Sequence, residues 1–266
     1  MGSNKSKVLA LTINTQEYDT WDSLLKDMQD AKMEYARFIV AIDFTLSNRV
    51  QSRTMSSKSL HDPSIDHRLN GVSPYQFVLE ALVQNIAAFN DIDDIELISF
   101  GLSNDLLIEN IPGSSLVPCY QAHAKQFNTI PDAKQAIGTT IAPVVYRAIE
   151  CAIQTHDYHI LIILTDGDME DTGRDAQAII DASNFPISIL VVGIGSGPFD
   201  TYTTFDNVLF ERRFDNLNFV SLDDMIRSQH SEDMADISRR ALLLGPQLFS
   251  ECPAQHITIR DLLTTS

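Results

Sequence analysis

Short apolar runs that stop abruptly at aspartate or glycine constrain this chain most. Phe38–Ile42 ends at Asp43, Ile95–Phe100 at Gly101, Tyr158–Thr165 at Asp166-Gly167 and Ile187–Val192 at Gly193. Phe38–Ile42 is short, apolar and β-branched, which suits a strand covered on both faces; Tyr158–Thr165 reads as another buried strand, and Ile95–Phe100 and Ile187–Val192 read as strands. Between them the apolar spacing is helical. It runs through Trp21, Leu24, Leu25 and Met28, then through Phe77, Leu79, Leu82, Val83 and Ile86 after Pro74, and then through Val144, Val145, Ala148, Ile149 and Ile153. A helix at about Gly173–Ser183, a short strand near Asn218–Ser221 and a last helix from about Glu232 to Leu244 continue the rhythm, while the turn-rich stretch with Pro112, Gly113 and Pro118 carries no clear element. Strands alternating with helices predict an α/β fold, a doubly wound, mostly parallel central sheet flanked by helices.

Composition narrows the partners. The 266 residues are 44% hydrophobic, enough for one sizeable core, and 36 acidic against 19 basic residues give a net charge of -17. Such a surface repels phosphate backbones, so no nucleic-acid partner is expected. Three cysteines, Cys119, Cys151 and Cys252, have no paired spacing. Neither a disulfide framework nor a zinc module is therefore encoded, and a reducing, cytoplasmic setting is expected. The apolar runs fall short of the roughly 20 residues of a bilayer-spanning helix. Met1-Gly2-Ser3-Asn4-Lys5-Ser6 fits the pattern in which Gly2 accepts a myristoyl chain, against the plainer reading of a polar tail. A single such chain gives weak, reversible membrane contact, and only Lys5 and Lys7 are basic nearby, so a partly peripheral membrane location is expected.

In doubly wound sheets, ligands bind beyond the carboxyl ends of the strands. Asp43-Phe44-Thr45-Leu46-Ser47 places a carboxylate and two hydroxyls on one side of an extended segment. Thr165-Asp166-Gly167 adds a second carboxylate, and Gly138-Thr139-Thr140, ahead of the Ala142-Pro143 helix start, can aim a hydroxyl at the same edge. Two carboxylates and three hydroxyls are hard oxygen donors that suit Mg²⁺, with Mn²⁺ or Ca²⁺ as alternatives, better than zinc or copper. Either aspartate alone reads better as a helix or turn cap, and it is the three segments together, in this chain order, that favour a shared site. Other features read blandly: Gly193, Gly195 and Gly197 as a packing turn, Asp91-Ile92-Asp93-Asp94 as a solvated turn, and His61, His67, His156 and His159 as solvated or capping side chains.

These segments also carry a resemblance. D-F-T-L-S-N (Asp43–Asn48), S-P-Y-Q (Ser73–Gln76), G-T-T-I-A-P-V (Gly138–Val144), L-I-I-L-T-D-G (Leu161–Gly167) and F-P-I-S-I-L-V-V-G-I-G (Phe185–Gly195) resemble the von Willebrand factor A domain of copines. Gly197–Asp200 and Arg213–Val220 are similar to the copine-type domain of plant RING ligases. The resemblance spans roughly Thr15 to Gln247 and implies a flexible tail over 1–14, a copine-type von Willebrand factor A domain over 15–249 and a C-terminal extension over 250–266. It further implies a metal-ion-dependent adhesion site: Thr45 and Ser47 as direct ligands, Thr139 as a third hydroxyl donor, and Asp43 and Asp166 acting directly or through water. The implied partner is a protein presenting an Asp or Glu carboxylate. The calcium-binding C2 domains of copines and the RING of the plant ligases find no counterpart in these residues, so a non-enzymatic, stand-alone adaptor is expected. The alternatives are a Mg²⁺-dependent hydrolase or phosphotransferase at the same strand ends, which lacks an identifiable base or nucleophile, and a component of a ubiquitin-ligase system.

Overall fold

The computed structural model describes residues 18–53, 58–65, 69, 71–90, 94–136, 138–167, 169–227 and 237–264. Gly2, His67 and residues 91–93 of the acidic cluster lie outside them. Six strands form one sheet: β1 (Arg37–Asp43), β2 (Ile95–Phe100), β3 (Leu107–Ile111), β4 (His159–Thr165), β5 (Ile187–Gly193) and β6 (Leu217–Ser221). Their order is β3-β2-β1-β4-β5-β6, parallel throughout except for the antiparallel β3 at one edge. The chain winds outward from β1 through β2 to β3, and β4 then pairs with the opposite side of β1 and starts the winding through β5 to β6. That reversal makes the crevice between the carboxyl ends of β1 and β4 the switch point of the fold.

Period-two alternation sorts the central strands between two apolar layers. Phe38, Val40 and Ile42 of β1, with Ile160, Ile162 and Leu164 of β4, face helices α1 (Trp21–Asp30), α3 (Pro74–Ala87), α4 (Leu116–Thr129), α9 (Ile237–Leu248) and α10 (Cys252–Thr264). Ile39, Ala41, Leu161 and Ile163 face α5 (Ala142–Thr155), α6 (Thr172–Ala182) and α7 (Asp200–Asn207). Two short helices complete the chain, α2 (Ser47–Arg53) directly after β1 and α8 (Leu222–Arg227) directly after β6. Caps follow the local sequence: the Thr20 hydroxyl accepts from Ser23 N at the start of α1, and Ser73 Oγ accepts from Gln76 N ahead of Pro74, which takes the first helical position.

Several segments differ from the expectations, among them α2, which opens at Ser47 where an extended segment is expected, and α8, where no helix is expected. The stretch after Gly101 holds β3 and α4, because Pro118 sits in the first turn of α4, where a missing N–H costs no bond. α7 and α10 also form where the spacing predicts nothing, and Cys252 and Ile259 of α10 are buried in the first layer. The last predicted helix runs on through Pro246 to Leu248, and its predicted start at Glu232 lies outside the described residues. The Gly193 turn packs as expected: a Cβ there would lie 2.9 Å from the Phe199 ring.

A charge cluster around the buried Arg212 joins α7 to the loop before β6 and the turn before α10. Arg212 is 2% exposed, with Nη1 2.6 Å from Asp215 Oδ1. Burial, reinforced by the charge of Asp215, pushes the Asp206 carboxyl up to about 7. Burial, with Asp215 and Asp206 adding to it, pushes Glu251 up to about 8. A carboxyl raised on folding favours the protonated form in the native state. Native stability therefore falls as pH rises from about 4.5, where the unfolded group ionises, to about 8. Glu251→Gln keeps an acceptor for the Gln255 amide, which lies 3.1 Å from Glu251 Oε2. The variant is expected to raise the melting temperature at pH 8 by several degrees and by clearly less at pH 5, read by scanning calorimetry at both pH values.

Candidate metal centre

Every sequence-predicted site residue within the described chain lies at the switch point. β1 delivers Asp43, whose Oδ1 accepts the Thr45 amide at 2.8 Å, so the chain turns sharply as it leaves the sheet. β4 delivers Thr165 and Asp166. The Thr165 hydroxyl donates to Asp43 Oδ2 at 2.7 Å and thereby ties the two strand ends together. The turn before α5 supplies Thr139, with its hydroxyl 3.5 Å from Asp43 Oδ2 and 3.4 Å from Thr45 Oγ1. Thr45 Oγ1 and Ser47 Oγ are 2.8 Å apart, and Ser47 donates to Asp166 Oδ1 at 2.7 Å. Asp43, Thr45, Ser47, Thr139 and Asp166 thus form one connected cluster of oxygens. Thr140 does not join it and instead donates to Asp175 on α6 at 2.7 Å.

The two carboxylates are fully buried. Burial pushes the Asp43 carboxyl above its ordinary range, against the opposing hydrogen bonds from Thr45, Thr165 and Thr139. Asp166 is pushed well above its range, first by burial and then by the charge of Asp43. Two such groups side by side favour a shared positive charge, as a proton or a cation. Among the described residues no three His, Cys, Asp or Glu side chains gather to hold a metal. The donor set here is of another kind, two carboxylates and three hydroxyls, all hard oxygens of the type that suits Mg²⁺, Mn²⁺ or Ca²⁺. On that chemistry the residues fit such an ion.

Asn48, Tyr75, His61 and Gly101 brace the cluster, and no pattern in the sequence marks them for that role. Asn48 Nδ2 donates to Asp43 O at 3.1 Å and to Asp166 Oδ1 at 3.3 Å, and Asn48 Oδ1 accepts the Tyr75 hydroxyl at 2.7 Å. One side chain on α2 therefore links both strand ends to α3. His61, expected to be solvated or capping, is buried between the rings of Phe44 and Tyr75, with centroid distances of 4.4 and 4.2 Å. Its Nε2 lies 3.1 Å from Asp43 O, which can only accept, so Nε2 carries the proton and Nδ1 accepts from the Tyr120 hydroxyl at 3.1 Å. Burial pushes His61 down to about 3, which keeps the ring neutral. Gly101 is the fourth: with φ +79° it lets β2 pass directly under the Asp43–Ser47 turn, and a Cβ there would lie 2.6 Å from Thr45 N. A glycine closing an apolar run is visible in sequence, but the backbone that it passes is not.

Comparisons with known proteins agree with the resemblance. The copine family profile matches residues 59–260, which span Thr139 and Asp166 but not the Asp43–Ser47 turn. Copine family protein 1 of Caenorhabditis elegans is 30% identical over 249 residues, covering 91% of this chain and 21% of that protein. The E3 ubiquitin-protein ligase RGLG3 of Arabidopsis thaliana is 30% identical over 257 residues, covering 90% of this chain and 67% of that protein. The chain thus spans about a fifth of the nematode relative and two thirds of the plant one. Among solved structures, a von Willebrand factor type A protein from Catenulispora acidiphila aligns with a TM-score of 0.44 at 12% identity, over 80% of this chain and 43% of that one.

Proposed function

The chain belongs to the copine family, and from that premise we propose that it is a protein-interaction module whose binding is controlled by a divalent cation at the β1–β4 switch point. Asp43, Thr45, Ser47, Thr139 and Asp166 would hold the cation, directly or through water. Mg²⁺ is the first choice, with Mn²⁺ and Ca²⁺ accepted by the same oxygens. A bound cation supplies an open coordination position for an Asp or Glu carboxylate of a partner protein. The observation that carries this reading is the convergence of three hydroxyls on two buried, adjacent carboxylates.

The site's own residues favour binding over hydrolysis or phosphoryl transfer. The histidine nearest to Asp43 has both ring nitrogens engaged, is held neutral by burial and lies behind the backbone carbonyl rather than at the rim. It braces the turn and is unsuited to serve as a general base. Gly2 enters the proposal as an acylation site giving weak membrane contact beside the cytoplasmic pool. The test is to titrate the metal-free protein with Mg²⁺ and Mn²⁺ and follow its melting temperature. Saturable stabilisation, reversed by EDTA, is expected, because an ion that binds only the native state raises stability with concentration. No stabilisation at millimolar metal would contradict the proposal.

A further inference from the structure

We propose that Asp175 is a positioning residue for the cation site, clamping the turn at residues 138–142 so that Thr139 faces Asp43; the proposal rests on the metal reading above. Asp175 lies in the first turn of α6, the helix that follows the Asp166 loop, and is fully buried. Its Oδ1 accepts the Thr140 hydroxyl at 2.7 Å and the Ala142 amide at 2.8 Å. The first helical amide of α5 is thus capped by a side chain from another helix, while Ile141, at the position where a cap normally sits, offers no side-chain oxygen.

The consequence reaches the cluster through the adjacent residue. Thr139 and Thr140 are neighbours with interchangeable chemistry, yet one hydroxyl goes to Asp175 and the other lies beside Asp43 and Thr45. Fixing Thr140 on α6 settles which of the two reaches the cluster. A second tie holds the same turn: the Glu170 amide donates to the Thr139 carbonyl at 3.0 Å. The segment that follows Asp166 therefore holds the Thr139 turn at two points, its loop and its helix. Without Asp175 the turn keeps its covalent connection and the Glu170 tie but loses the two bonds that fix Thr140 and Ala142.

A capping role alone would affect folding and leave cation affinity untouched, so the test reads both. Mn²⁺ binding is measured by loss of the free-ion EPR signal for wild type, Asp166→Ala, Asp175→Ala, Thr140→Val and Thr140→Ser. Exchange of the backbone amides at 138–142 is followed in the metal-free proteins. Asp175→Ala is expected to weaken Mn²⁺ binding about 10- to 100-fold, the range for residues that orient metal ligands. It should also speed exchange across the turn. Thr140→Val, which leaves the Ala142 cap in place, should weaken binding several-fold, and Thr140→Ser should restore it to within about twofold of wild type. If Asp175→Ala does not fold, the Thr140 pair alone decides. Mn²⁺ affinity lost in Asp166→Ala but unchanged in Asp175→Ala and Thr140→Val overturns the clamp and leaves the metal reading standing. A wild type that binds no Mn²⁺ overturns both.

Discussion

Asp166→Ala is expected to abolish cation-dependent partner binding and leave a folded protein. The substitution removes one of the two charges that face the site, and with it the acceptor that aligns Ser47 and Asn48. Cation affinity should fall at least about 100-fold, since removing a ligand outweighs the 10- to 100-fold effect of disturbing a residue that merely orients one. Stability responds in two opposing ways. The Ser47 hydroxyl and the Asn48 amide lose a partner, at a cost of about 1–3 kcal/mol each if no water replaces it. Against this, a carboxyl held well above its ordinary range by burial and by Asp43 is gone. The two effects oppose each other, and in EDTA the variant should keep a cooperative thermal transition. Binding that is lost only together with the thermal transition would instead mark Asp166 as a structural residue.

Gly101→Ala is expected to damage both the fold and the site. At φ +79° an alanine costs about 1–2 kcal/mol in backbone conformation alone. Its Cβ would also lie 2.6 Å from Thr45 N, 2.7 Å from Thr45 Cγ2 and 2.9 Å from the Phe44 carbonyl carbon. Two of those atoms are backbone, in a turn pinned by the Phe44 amide to Phe100 O at 2.8 Å, so the clash cannot be relieved by rotating a side chain. Overpacking of this kind adds about 1–3 kcal/mol. Together these lower the melting temperature by roughly 5–15 °C. Any relaxation must displace Thr45, so cation affinity should fall in the protein that remains folded. Calorimetry and Mn²⁺ titration of the same sample separate the two effects; a variant with wild-type values in both would show that β2 does not press on the turn.

The sheet is legible in the sequence because its central strands are buried on both faces, so Phe38–Ile42 and Ile160–Leu164 are unbroken apolar runs that end at or just before Asp43 and Asp166. Asp43, Thr45 and Ser47 are legible as polar residues that follow an apolar run, but they share one side because the chain turns at Asp43–Thr45 and α2 opens at Ser47, not because the segment stays extended. β3 is less visible because it is a five-residue edge strand with Leu107 and Ile108 exposed, and an edge needs no apolar pattern. Pro118 masks α4, although Tyr120, Ala124 and Phe127 keep the helical spacing. The bracing of the site is the least legible part. Asn48, His61 and Tyr75 meet only in three dimensions, and a single buried histidine or asparagine has no periodicity to announce it. The choice between Thr139 and Thr140 depends likewise on Asp175, 35 residues further along the chain.

One divalent cation is expected to bind among Asp43, Thr45, Ser47, Thr139 and Asp166. The most direct measurement is anomalous diffraction at the manganese edge from crystals of the protein grown with MnCl₂. A single strong peak is expected between the carboxyl ends of β1 and β4, within coordination distance of the Thr45 and Ser47 hydroxyls or of waters that they hold. A saturating Mn²⁺ concentration with no peak at that crevice, or with the peak elsewhere on the chain, would contradict it.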